Sequence, residues 1–81
     1  MKIKVNKNQQ NMEFRKTVWS IVEIAKQKAE NGIEHFHYSI PRGLGFGSHE
    51  VIKEVEQITE ETVYAGYRSV KDGTIRFSIS N

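Results

Sequence analysis

His35 and His37 stand two residues apart in IEHFHYSI (33–40), a spacing that puts both imidazoles on one side of an extended chain. Such a pair has two kinds of chemistry open to it. With a third ligand it could hold a metal ion, and His49 is the ready candidate; beside a cation it could serve as acid and base on a phosphodiester, with Arg68 or Arg76 on the phosphate. The chain has no cysteine, and no carboxylate is expected on the histidine face, so the metal reading lacks ligands. Ser48 precedes His49 directly, but sequence neighbours do not make a catalytic dyad, and no acid is placed to orient the imidazole. Binding is therefore the first expectation, with no catalytic residue, metal or cofactor assigned. A small ribonuclease is the enzyme alternative.

The loop PRGLGFGSHE (41–50) is the second chemical candidate. Arg42, Gly43, Gly45, Gly47 and Ser48 precede a helix start, where free N–H groups and a nearby arginine favour anions. Its spacing is GxGxG, not GxGxxG, and no lysine follows the last glycine, so neither a dinucleotide fingerprint nor a P-loop is present. Leu44 and Phe46 alternate with the glycines. They either tuck into the core or form apolar tips that grip a protein partner.

The elements that must position these groups follow from periodicity. Lys2-Ile3-Lys4-Val5 alternates and reads as a short strand. Phe14, Val18, Ile21, Val22, Ala25 and Ala29 form a helical stripe, with Asn8 or Asn11 as its cap and Asn31-Gly32 as its stop. The segment 33–40 is the second strand. Ser48 is the expected cap of a second helix that buries Val51, Ile52, Val55 and Ile58. TVYAGYRSV (62–70) and TIRFSIS (74–80) flank Lys71-Asp72-Gly73 as a hairpin. A three-residue loop would pair Tyr67 with Phe77 and Ala65 with Ile79, and set Arg68 opposite Arg76. The expected fold is an α+β, βαβαββ two-layer sandwich: one domain over 1–81, a four-stranded sheet and two helices on one of its faces.

If both helices cover that face, the other carries Lys2, Lys4, His35, His37, Ser39, Tyr64, Arg68, Arg76, Ser78 and Ser80. None of the chain's ten acidic residues falls in this set. An anion between Arg68 and Arg76 would relieve a like-charge pair, and an aromatic among cations suits phosphate contact with base stacking. Charge is uneven elsewhere too. Residues 49–61 hold five glutamates against one lysine, leaving +6 for the rest of a chain whose total is +2. An acidic helix face is most often a solvated one.

Eighty-one residues with 37% hydrophobic and 27% charged side chains describe one globular domain. No apolar run is long enough for a membrane span, and MKIKVNKNQQ carries charge without the apolar stretch of a secretory leader. The absence of cysteine fits a cytoplasmic location.

The order βαβαββ, with Arg42-Gly43 after the second strand and a helix close behind, resembles the Alba domain. The layout is also similar to the C-terminal domain of translation initiation factor 3. The resemblance implies RNA or DNA binding, usually as a dimer, through Lys7 or Arg15, Arg42 and Gly43, and Arg68, Lys71 and Arg76. In this chain LGFGS separates the Arg-Gly pair from an acidic helix.

The expected function is a non-enzymatic module that binds RNA or single-stranded DNA by phosphate neutralisation and limited stacking. The alternative is a regulator or inhibitor that docks on a protein, or on a second copy of itself. It would use Trp19, Leu44, Phe46, Glu50, Glu54 and Glu56. Trp19 lies about 110° from the centre of the first helix's apolar stripe, at about 100° per residue.

Overall fold

A computed structural model describes residues 11–41, 43–68 and 73–80, apart from the side chains of Tyr67 and Arg68. Its elements are α1 (Met12–Glu30), β1 (His35–Ser39), α2 (Ser48–Ile58), β2 (Val63–Arg68) and β3 (Thr74–Ile79). The class is α+β, but among the described residues the sheet has three antiparallel strands in the order β1-β3-β2, not four. The expected strand at Lys2–Val5 lies outside the described residues.

Helix α1 buries Phe14, Thr17, Val18, Ile21 and Ala25. Asn11 is its cap: Oδ1 accepts from the N–H groups of Glu13 (2.9 Å) and Phe14 (3.3 Å). The same side chain reaches across the fold, where Nδ2 donates to the Leu44 carbonyl at 3.2 Å. One asparagine thus starts a helix and ties down the glycine loop. Asn11→Ala is expected to cost about 1–2 kcal/mol, at the upper end for a cap because the Leu44 contact is lost with it. A fall in the urea midpoint with an unchanged slope would register it.

Both helices end in the same hydrogen-bond pattern, with different residues. After α1, Ile33 N–H donates to the Lys28 carbonyl (2.8 Å) and Gly32 N–H to that of Ala29 (3.1 Å), with Gly32 at φ +72°. After α2, Glu61 N–H donates to the Glu56 carbonyl (2.8 Å) and Glu60 N–H to that of Gln57 (3.3 Å). There Glu60 and Glu61 hold φ of 52° and 66°, a region that disfavours side chains with a Cβ. Thr59 fastens the turn: its Oγ1 donates to the Val55 carbonyl at 2.7 Å and accepts from the Val63 N–H at 3.3 Å. Glu60→Gly relieves left-handed strain and removes a negative charge from the helix C-terminus. It is expected to stabilise the fold by about 1 kcal/mol, seen as a raised Tm.

The start of α2 differs from expectation. Its cap is Gly47, not Ser48, and the Gly47 N–H donates to the Glu50 carboxylate at 2.7 Å. The helix is closed by the acid at its third position, so Ser48 becomes the first helical residue.

The two helices pack on one face of the sheet, α1 over β1 and α2 over β2. Phe36, Ile40, Val63, Ile75 and Phe77 rise from the strands and their ends to meet Phe14, Val18, Ile21, Val51, Ile52 and Val55. Phe36 and Phe77, paired across β1 and β3, stack with centroids 5.4 Å apart.

The hairpin register also departs from expectation. Ala65 pairs with Phe77 and Val63 with Ile79; Tyr67 then pairs with Arg76 and Arg68 with Ile75. The ladder shifts between Ala65 and Tyr67, where Gly66 is the extra residue of a bulge. Before the bulge the pairing differs from the expected one by two residues, which preserves faces; across it the parity reverses. Arg68 therefore stands opposite Ile75, not Arg76. The expected turn residues Lys71 and Asp72 lie outside the described residues.

Candidate nucleic-acid interface

Alternation in β1 and β3 sends two sets of side chains to opposite sides of the sheet. Phe36, Ile75 and Phe77 go inward, while His35, His37, Ser39 and Arg76 are exposed on the outer face. The ladder arranges this face in rows. Tyr64, Ser78 and His35 form one row; the next holds Arg76 between His37 and the Tyr67 position. In the third, Ser39 and Thr74 join their hydroxyls at 3.0 Å. Neighbouring strands lie about 4.8 Å apart, so a polynucleotide backbone crossing the rows would meet Arg76 at the centre of the sheet.

Tyr64 is 41% exposed at the β2 edge, so its ring can accept a base without the core opening. Gly66, next to it on the strand, has no side chain to stand above the face; a Cβ there would lie 3.4 Å from the Ser78 hydroxyl. No carboxylate belongs to the described part of this face. The described acids lie elsewhere. Glu56 turns towards β2 and accepts from the Ala65 N–H at 3.3 Å, covering part of that edge strand.

His35, His37, Tyr64 and Arg76 come together on one surface. Lys2, Lys4 and Arg42 lie outside the described residues, as does the Arg68 side chain. Gly43, Gly45, Gly47 and Ser48 sit in the loop and first turn before α2. Gly43 and Gly45 adopt φ of +82° and +85°, which L side chains rarely do. At the helix start the Glu50 carboxylate already takes the Gly47 N–H, so a phosphate arriving there would have to displace it.

Among the residues considered for protein docking, Phe46 packs edge-on against Phe14 at 5.3 Å, and Leu44 is half-buried above the Asn11 contact. Of the loop's apolar residues, Phe46 is turned into the fold. Trp19 remains open, 54% exposed. Glu50 and Glu56 are engaged within the chain, and Glu54 also has a partner there.

His49 lies in the first turn of α2, in the helical layer, whereas His35 and His37 face away from that layer. Among the described residues no group of three histidine, cysteine or acidic side chains converges to hold a metal ion. Nor is any described helix long and apolar enough to cross a membrane. The chain matches no protein-family model, no curated protein and no solved structure, so these comparisons add nothing to the Alba resemblance.

Proposed function

We propose that this chain is a small non-enzymatic module that binds single-stranded RNA or DNA across the outer face of its sheet. The observation that carries the reading is the exposed surface, free of carboxylates among the described residues, on which Arg76 stands between neighbouring strands, with His37 opposite it and Tyr64 one row away. Arg76 holds a phosphate, the histidines and hydroxyls supply further polar contacts, and Tyr64 stacks on a base. Contacts of this kind read the backbone more than the base edges, so sequence preference is low and salt dependence steep.

Fluorescence anisotropy with labelled single-stranded RNA, single-stranded DNA and duplex DNA at two salt concentrations tests this. Binding of the single strands that weakens steeply with salt supports the reading. No binding at low salt removes it.

A further inference from the structure

The helical layer carries a surface that nucleic-acid binding by the sheet does not use. Met12 and Trp19 are 69% and 54% exposed. On a helix, Met12, Lys16, Trp19, Glu23 and Lys26 follow steps of four, three, four and three, the repeat of a helix–helix seam, and all five are exposed. Shallow grooves flank Trp19. One is lined by Lys16, Ser20, Glu23, Ile24 and Gln27; another opens between α1 and the Thr59, Thr62 and Val63 segment.

We propose that this stripe is the contact with a second copy of the chain, with two α1 helices packed antiparallel and Trp19 at the two-fold axis. The charges select that partner and that direction. Lys16 and Glu23 lie about one turn either side of Trp19 and about 10 Å apart along the axis, too far to pair with each other. Neither has an ion-pair partner among the described residues of its own chain. An antiparallel second copy brings Lys16 of each chain to Glu23 of the other, twice per dimer. A parallel one would set Lys16 on Lys16 and Glu23 on Glu23.

A two-fold contact uses the same patch on both copies, and this stripe is self-complementary in that sense. The Trp19 ring of one copy enters the groove beside Lys16 and Glu23 of the other, where tryptophan is a favoured interface anchor. One helix per copy makes a small interface, so the dimer is weak and exchanging. It leaves the outer face of the sheet free, and stands independently of the nucleic-acid reading.

Sedimentation velocity over a range from micromolar to near-millimolar protein tests the contact. Trp19 fluorescence serves as a second readout, because it is the chain's one tryptophan. The expected result is a concentration-dependent monomer–dimer equilibrium with a blue shift of emission over the same range. Lys16→Glu and Glu23→Lys should each weaken the dimer about tenfold by placing like charges in contact. The double variant should regain it, because the exchange is symmetric. Trp19→Ala, at an exposed site, should abolish it with the circular dichroism spectrum unchanged. A wild type that stays monomeric throughout would overturn the proposal. So would a dimer indifferent to Trp19→Ala, or a double variant no tighter than the single ones.

Discussion

Phe77→Ala is expected to remove about 3–5 kcal/mol of stability, a large part of what holds a domain of this size together. Phe77 is fully buried on the central strand, stacks on Phe36, and lies opposite Ala65. Truncation leaves a void in the core that the sheet shares with both helices, and closing it would disturb the packing of the other buried residues there, Ile75 and Val55 among them. Phe77→Leu, which keeps most of the volume, should cost less than about 1.5 kcal/mol. Urea unfolding followed by circular dichroism separates the two variants. A loss below about 1 kcal/mol for the alanine variant would mean that the core does not close on this ring.

The central placement of Phe77 explains which parts of the fold could be read from the chain. Phe14, Val18, Ile21 and Ala25 recur with the helical period, and Phe36, Ile75 and Phe77 fall on alternate positions of their strands. These patterns are imposed by burial, so they survive in sequence. Asn31-Gly32 marks a helix end because glycine tolerates the left-handed turn. The equivalent turn at Glu60-Glu61 carries no such signal. Glutamate does not favour that geometry, and it is held by the Thr59 hydroxyl, which bridges the Val55 carbonyl and the Val63 N–H, a side-chain bond that the turn residues themselves do not announce. Gly47 in place of Ser48 as the cap is similar, since the contact that decides it comes from Glu50, three residues on.

The site was legible to the same extent. Outward positions for His35, His37 and Arg76 follow from strand alternation alone. The pairing of Arg68 with Arg76 failed because Gly66 reads as an ordinary strand residue, and a bulge depends on where the partner strand begins. Phe46 alternates with glycines as a gripping loop would, but its packing on Phe14 is a contact between residues 32 positions apart that no local pattern contains. The fourth expected strand, at Lys2–Val5, lies outside the described residues, among which the sheet has three.

Arg76→Glu is the substitution expected to damage binding most. Arg76 is exposed on the middle strand, with His37 on one side and the Tyr67 position on the other, so a strand of nucleic acid crossing the face cannot avoid it. Loss of a charge-assisted phosphate contact is worth about 1.5–3 kcal/mol, or roughly 10–100-fold in Kd. The reversal also puts a carboxylate where the described face has none, and adds repulsion to that loss. Arg76→Ala isolates the contact itself: affinity falls for all single-stranded sequences alike, and the slope of log K against log salt drops by about 1. Lys53→Glu makes the same change of charge on α2, on the opposite layer, and is the control. With exposed charges screened over about 10 Å at moderate salt, it should change Kd by less than about twofold. Equal losses for Arg76→Glu and Lys53→Glu would point to a general field instead of a located site. An unchanged Kd for Arg76→Glu would move any binding off this face altogether, because no other described cation stands at the centre of the sheet.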